Sequence, residues 1–474
     1  MRRTKIVATL GPASREEAML RKLISAGVNV FRLNTSHEAP EMHMEVVKRI
    51  KKLREELQIP LAILLDLEGP KIRTGKLETD TILLEEGQKF TLTSEDIIGN
   101  KEICSISYKS LSKDVRHGDI ILLYDGLIGL KVLEKDDNNI ITTVMNSGYI
   151  SHHKGVNVPG VDIGLPPLTE KDKIYIKLAV KEGVDYIAQS FVRNPEDIDI
   201  CREEQKKYKG KIPIIAKIET KQAMQHLRSI IYKADGIMVA RGDLGVEIPT
   251  EEVPVAQKLI IKMTNEQRKP VITATQMLES MVENPRPTRA EATDIANAII
   301  DGTDAVMLSG ETTIGKHPIE AVKVMDKIAE KTEEDLYDLI YNKNTDEHYT
   351  EAFINTDEGA VAKSCKEICR LLGINVIVTS TVTGHTARVV SSFKPNANLI
   401  GVTPSTETYY TLALVGGVTP VLVPETKNTD EMIEKGVERL LELGLVKRRE
   451  KILITAGIPW GKAGTTNMIK IHSC

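Results

Sequence analysis

Apolar positions in the N-terminal part of the chain come in short runs, each followed by a stretch with helical spacing. The runs 5–10, 28–33, 61–66, 185–190, 212–218, 236–240, 270–274 and 305–308 are apolar enough to be buried on both faces. That is the signature of strands in a parallel sheet. Helical patterns follow most of them, several with recognisable starts. Ser14 with Glu17 predicts a capping box ahead of Ala18, Leu20, Leu23 and Ile24, and Thr169 with Asp172 and Thr288 with Glu291 predict two more. Eight strand–helix units predict an α/β fold, a (β/α)8 barrel of the TIM type, whose chemistry is set at the C-terminal ends of its strands.

The barrel pattern is interrupted once. Between Gly69-Pro70 and Gly164-Leu165-Pro166-Pro167 the period falls to that of short antiparallel strands, as in Asp119-Ile120-Ile121-Leu122-Leu123-Tyr124-Asp125-Gly126. A small inserted β-barrel domain is expected there. Because it follows a strand it stands over the mouth, where it can act as a lid. A polar stretch, 341–348, separates the barrel from a remainder that alternates helix (358–372), strand (376–380), helix, strand (399–403), helix, strand (421–423), helix (430–443) and strands (451–455 and 468–472). This predicts a C-terminal α/β domain. The expected division is 1–69 with 166–342, 70–165, and 355–474.

Composition narrows the class. A net charge of −4 over 474 residues and 4% aromatics argue against a nucleic-acid or anionic-membrane surface. No apolar run approaches the ~20 residues of a membrane span, and the start Met1-Arg2-Arg3-Thr4-Lys5 has no signal-peptide core. The five cysteines lack zinc or disulfide spacing, so a cytoplasmic protein is expected. Cys365 and Cys369, one helical turn apart with no histidine nearby, read as core.

The strand ends carry the chemistry. Lys217 and Glu219 close the run 212–218, and side chains two apart on a strand share a face. A solvated ion pair would give the same local pattern. Their company separates the two readings. The second strand ends in Arg32, Asn34, Ser36 and His37, the third in Asp66, and the sixth in Arg241-Gly242-Asp243. The seventh ends in Thr273, Thr275 and Gln276, and the eighth in Ser309 and Glu311. Glu219 and Asp243 offer two hard carboxylates, a set suited to Mg²⁺ that shares its shell with substrate and water. Arg32 and Lys217 suit a phosphoryl or enolate oxygen. Gly242 and Gly245 let backbone N–H groups approach an anion, and Thr275 offers a hydroxyl able to pass a proton. Together these point to phosphoryl transfer or enolate stabilisation. A metal-dependent aldolase or lyase on the same barrel has the same needs and stays open here, as does a non-catalytic sensor built on the C-terminal domain. Gly310-Glu311-Thr312-Thr313-Ile314-Gly315-Lys316-His317 nearly spells a P-loop, but His317 stands where Ser or Thr must be, so a turn is expected.

Six ordered motifs carry a family resemblance. They are Arg32-Leu33-Asn34-Thr35-Ser36-His37, Asp66-Leu67-Glu68-Gly69-Pro70-Lys71-Ile72-Arg73-Thr74-Gly75, Lys154-Gly155-Val156-Asn157, Ala216-Lys217-Ile218-Glu219, Ala240-Arg241-Gly242-Asp243-Leu244-Gly245 and Ala274-Thr275-Gln276-Met277-Leu278-Glu279-Ser280-Met281. Through them the chain resembles the pyruvate kinases along its whole length. The resemblance implies an enzyme that passes the phosphoryl group of phosphoenolpyruvate to ADP, giving ATP and pyruvate. It implies Lys217, Arg32 and Arg73 at the migrating phosphoryl and the enolate, with Thr275 near the carbon that takes up the proton. Gly242 and Asp243 would meet the substrate carboxylate, and Glu219 and Asp243 would hold Mg²⁺ or Mn²⁺. Asn34, His37, Arg73 and Lys154 match nucleotide contacts, which lid closure would complete.

The resemblance also implies a monovalent-cation site from Asn34, Ser36, Asp66 and the carbonyl of Leu67. Here the chain departs from many members, which have Thr, Lys and Glu where it has Leu67, Glu68 and Lys71. The Lys71 ammonium can stand in for K⁺, so K⁺ is expected not to be required. In the C-terminal domain Thr379, Thr381, Thr383, Gly384 and Thr386 resemble a sugar-phosphate effector loop, with His385 where Arg is usual. Trp460-Gly461-Lys462-Ala463-Gly464-Thr465 is expected to close over such a ligand. A sugar phosphate or AMP is the implied effector, a homotetramer the implied assembly, and no phosphoenolpyruvate-utilising appendage is expected after Cys474.

Overall fold

The computed structural model describes residues 2–335, 356–458 and 466–474. The expected linker 341–348 and the loop 460–465 lie outside these described residues. All eight expected barrel strands form, as Lys5–Leu10, Val30–Asn34, Ala62–Asp66, Tyr186–Gln189, Ile214–Ile218, Gly236–Ala240, Val271–Ala274 and Ala305–Leu308. They close into one parallel barrel in sequence order, the first strand pairing with both the second and the eighth.

The two faces of each strand go to different cores. Val7, Val30, Leu64, Ala188, Ile215, Met238, Ile272 and Met307 fill the interior. The alternate residues Ile6, Phe31, Leu65, Ile187, Ile214 and Ile237 pack against the helical ring. This explains runs with no alternation: both faces are apolar because both are covered. Two residues beyond the interior Val30, Leu64 and Ile215 come Arg32, Asp66 and Lys217, which therefore also point inward, at the mouth.

The opposite end of the barrel is plugged by the C-terminal domain. Ala413 and Leu414 join the interior core from below, and the Tyr186 hydroxyl donates to the Thr411 carbonyl at 2.7 Å. Lys5, at the start of the first strand, donates its ammonium to the Val418 carbonyl at 2.7 Å. Burial, helped by Arg2, lowers the Lys5 pKa from its ordinary value to about 7. A lysine depressed on folding gives stability that is complete above its unfolded pKa, about 10.4, and lost as pH falls through the folded value. The thermal midpoint of the protein should therefore rise from about pH 7 to about pH 10 relative to that of Lys5→Met. A difference between the two midpoints that stayed constant over this range would refute the assignment.

Two of the three expected capping boxes are present. Thr169 with Asp172 and Thr288 with Glu291 each exchange both hydrogen bonds, an arrangement in which the cap alone contributes about 1 kcal/mol. Ser14 is a correction. The helix starts at Glu17 with Glu16 in the N-cap place, because Ser14 is held back in a turn: its hydroxyl accepts from the Gly11 amide, and its own amide bonds the Gly11 carbonyl.

The insertion after the third barrel strand is a sheet of seven short strands plus a two-stranded ribbon. Its edge strands, Ile72–Arg73 and Ile103–Ser105, meet through the Thr74–Ile106 bridge and through hydrogen bonds from Gly75 to Ser105 and from Ser107 to Arg73. The sheet thus closes as a small barrel and leaves no free edge. The C-terminal α/β domain is a five-stranded sheet with the helices Asp357–Leu372 and Thr429–Glu442 on two separate cores. Its last strand, Thr466–Ser473, is the one antiparallel member.

Candidate active site

At the mouth the strand-end charges form one network. Arg32 donates through Nε to Asp66 at 2.6 Å and through a terminal nitrogen to the Thr9 hydroxyl at 2.9 Å. The Lys217 ammonium lies 2.9 Å from Glu219, 3.2 Å from the other oxygen of Asp66 and 2.7 Å from the Ser190 hydroxyl. Ser190 in turn donates to the Leu67 carbonyl at 2.7 Å. All four charged side chains are buried, Asp66 and Glu219 with 1% of their surface exposed. The ion pair suggested by the spacing of Lys217 and Glu219 exists, but it is not a solvated one.

The electrostatics of this group are uneven. Burial alone would raise Asp66, but Lys217 and Arg32 outweigh it and hold the carboxyl below its ordinary value. Burial would lower Lys217, but Asp66 and Glu219 hold it above the ordinary lysine value. Glu219, unlike Asp66, is raised, chiefly by burial, which Lys217 opposes and Asp243 reinforces. Both partners of the Lys217–Glu219 pair are thus raised, which keeps Lys217 charged but pushes Glu219 toward its neutral form. The reason is that Lys217 is shared: Asp66 has two cations around it, whereas Glu219 has part of one and faces Asp243. Glu219 is the carboxylate short of positive charge.

That shortage is what a divalent cation would supply. Glu219 accepts the Phe191 amide at 2.7 Å, and Phe191 holds a left-handed backbone, φ 54°, which turns that amide into the mouth. Asp243, on the helix Arg241–Glu247 directly after the sixth strand, lies 3.3 Å from Lys71 and is partly open to solvent. Among the described residues no group of three or more His, Cys, Asp or Glu side chains could hold a metal ion. Two carboxylates fit a Mg²⁺-like ion that takes its other ligands from substrate and water.

The seventh strand supplies the hydroxyl. Thr275 follows it with φ 70° and Gln276 with φ 55°, left-handed values that are costly for a β-branched residue. The Thr275 hydroxyl accepts the Gly242 amide at 2.9 Å and donates to the Ala274 carbonyl at 2.6 Å. Thr275 and Gly242 are therefore one unit. A side chain at Gly242 would lie 3.6 Å from the Thr275 oxygen, within ordinary contact, so steric exclusion does not explain the glycine.

Above the mouth, Arg73 pairs with Glu68 at 3.2 Å and Lys154 lies 4.3 Å over the Tyr124 ring. Thr74 and Lys154 hold each other through two hydrogen bonds, 2.8 and 2.9 Å, so the two lid cations are carried on paired segments. Asn34 turns its amide oxygen back onto the Ser36 amide at 3.1 Å, and His37 is exposed at the rim. Lys71 pairs with Asp243 and, at 3.9 Å, with Asp125, so its described ion pairs are on the carboxylate side of the mouth. The cation beside the Ser36 carbonyl is Lys171, at 3.4 Å, which also pairs with Glu68 at 2.9 Å.

In the C-terminal domain the loop after Val376–Ser380 caps the helix His385–Ser392 through Gly384, φ 78°. Thr379 is fully buried with its hydroxyl on the Ile400 carbonyl, and Thr386, on the helix, is buried with its hydroxyl on that of Thr466. Thr383 stays exposed. It lines, with Arg268, Lys269, His385 and Arg388, a cavity of about 790 Å³ between this loop and the lower face of the barrel. The P-loop-like segment was expected to be a turn and instead opens as the short helix Gly310–Thr313: Glu311 accepts the Leu278 and Ser309 amides, and Thr312 donates to the Thr9 carbonyl.

Several residues of the network went unmarked in the sequence. Ser190 closes the fourth strand and was open to the same strand-end reasoning as Lys217. Thr9 and Lys171 had no such signal, since a buried threonine and a helix lysine are ordinary.

The family description "Pyruvate kinase, barrel domain" matches residues 1–322, and "Pyruvate kinase, alpha/beta domain" matches residues 359–472. The chain is 48% identical over 473 residues to a pyruvate kinase of Thermotoga maritima, covering 99% of each. It is 46% identical over 474 residues to that of Clostridium acetobutylicum, covering 100% of this chain and 99% of the relative. It is 47% identical over 475 residues to that of Geobacillus stearothermophilus, covering 99% of this chain and 80% of the longer relative. Among solved structures, a pyruvate kinase of Cryptosporidium parvum superposes with a TM-score of 0.92 at 36% identity, over 100% of this chain and 96% of the other.

Proposed function

From the premise that the chain belongs to the pyruvate kinase family, glycolytic phosphotransferases that use a divalent metal, we propose a division of labour at the barrel mouth. The observation that carries it is the buried Lys217 ammonium, held on Asp66, Glu219 and Ser190 with its head at the strand end. Lys217 and Arg32 face the oxygens of the migrating phosphoryl group. As the bond from phosphorus to the enol oxygen breaks and the bond to the terminal ADP oxygen forms, charge grows on the enolate. Lys217 is already in place to meet it, so no reorganisation is needed. Arg73 joins from the lid.

Glu219 and Asp243 hold the divalent ion, Mg²⁺ or Mn²⁺, which when bound supplies positive charge to substrate oxygens. The amides of Gly242 and Asp243 begin the short helix on the side of the substrate carboxylate, the Gly242 amide being shared with the Thr275 hydroxyl, and Thr275 stands near the methylene carbon that is protonated to give pyruvate. Lys154, Arg73, Asn34 and His37 meet the nucleotide, and the lid dries the site on closing. We place the domain limits at 1–69 with 166–342, 70–165 and 355–474, in a cytoplasmic homotetramer. A sugar phosphate or AMP would bind at the Thr383–Gly384 loop, for which the neighbouring cavity, lined by Arg268, Lys269 and Arg388 as well as by Asp235, Glu266 and Glu407, is the support.

The charge pattern also bears on the monovalent cation. Lys171 at the Ser36 carbonyl puts a fixed ammonium beside the expected monovalent-cation residues, while Lys71 adds a second one across the mouth at Asp243. Pyruvate formation from phosphoenolpyruvate should depend on ADP and should keep most of its rate when K⁺ is replaced by tetramethylammonium. Pyruvate made equally well without ADP would favour the lyase reading. Activity that vanished without K⁺ would overturn the lysine substitution.

A further inference from the structure

Arg241 directly follows the sixth strand, one residue before the amide that bonds Thr275, yet its side chain turns away from the mouth. Its guanidinium is buried and fully engaged. Nε donates to the Ala274 carbonyl at 3.3 Å and one terminal nitrogen to the Thr275 carbonyl at 2.6 Å. The other terminal nitrogen meets both oxygens of Asp294, at 2.8 and 2.7 Å, and the Gln257 amide oxygen at 3.2 Å. The fork therefore grips the carbonyls on both sides of Thr275, the residue whose left-handed backbone is least favoured by its own side chain. Such a conformation is strained and persists only where its surroundings over-determine it. Arg241 is the group that does so from beneath, as the Gly242 amide does from above. Asp294, on the helix Arg289–Ile300, fixes the guanidinium plane that makes the double grip feasible.

We propose that Arg241, oriented by Asp294, is a positioning residue for proton delivery: it holds the Thr275 hydroxyl beside the Gly242 amide. This rests on the reading of Thr275 given above. It touches neither the migrating phosphoryl group nor the metal carboxylates. Its loss should therefore weigh on protonation of the enolate carbon more than on the transfer of phosphorus.

Two rates separate these steps: ATP formation from phosphoenolpyruvate and ADP, and enzyme-catalysed exchange of pyruvate methyl hydrogens with D2O, followed by NMR. Thr275→Val is the reference variant and should slow exchange more than ATP formation. Arg241→Lys keeps a charge but not the fork, and Asp294→Asn keeps an acceptor but not the charge. Each should slow exchange by about tenfold to a hundredfold, the scale of a small misplacement, with a smaller loss in ATP formation. If Thr275→Val leaves exchange intact, the reading of Thr275 fails. If Thr275→Val slows exchange but neither other variant does, or if both slow the two rates equally, the positioning role of Arg241 fails. The half-exposed Asp294→Asn keeps the test available should Arg241→Lys fold poorly, which its circular dichroism would show.

Discussion

Replacing Lys217 by Met is expected to lower kcat by ~10³-fold or more while the barrel stays folded. The scale is that of removing one preorganised cation from a phosphoryl-transfer site. Three features place Lys217 at the top of that range. Its ammonium is buried, so its field is little screened. It is held by three partners, so its position is fixed before substrate arrives. It is also kept charged, because Asp66 and Glu219 more than offset the effect of burial. Met matches the length of the stem, and Arg32 still compensates Asp66. The uncompensated residue is Glu219, whose charge the divalent ion can balance. Near-normal turnover by a folded Lys217→Met protein would remove Lys217 from the chemistry.

The second large effect is on the metal. Glu219→Gln keeps the shape and the acceptor for the Phe191 amide but removes the charge. Affinity for Mn²⁺ should fall by roughly a hundredfold or more, since even outer partners of metal ligands cost 10–100-fold. The loss in rate at low Mn²⁺ should be partly recovered at high Mn²⁺, which would not happen for Lys217→Met. Asp243→Asn should behave like Glu219→Gln but less severely, because Asp243 is more open to water and already shares Lys71. Unchanged Mn²⁺ binding by both variants would place the metal elsewhere.

Much of this was legible in the sequence, for identifiable reasons. Parallel strands buried on both faces leave a plain mark, and all eight were found, with ends shifted by at most two residues. Polar residues closing such strands stand out against apolar runs, which made Arg32, Asp66, Lys217 and Glu219 visible together. What escaped depends on contacts between distant parts of the chain. Ser14 looked like a cap because its spacing to Glu17 was right, but Gly11 competes for its hydroxyl. The plug at the barrel floor, Ala413 and Leu414, has no period to betray it. Lys71 could be placed near the mouth by its motif, but a four-carbon stem reaches in several directions, and only the fold shows it at Asp243. Thr379 and Thr386, expected in an effector loop, also have tertiary partners that no spacing reveals: Thr379 bonds across the sheet, and Thr386 ties its helix to the last strand.

The central claim is that the adjacent Lys217 and Glu219 do different work, one on the phosphoryl group and the other on the metal. Titration of Lys217→Met with Mn²⁺, followed by the electron paramagnetic resonance of the free ion, tests it most directly. Mn²⁺ should bind at least as tightly as in the unaltered protein, because Glu219 loses a competing ammonium while turnover is lost. Mn²⁺ affinity falling in step with turnover would contradict it.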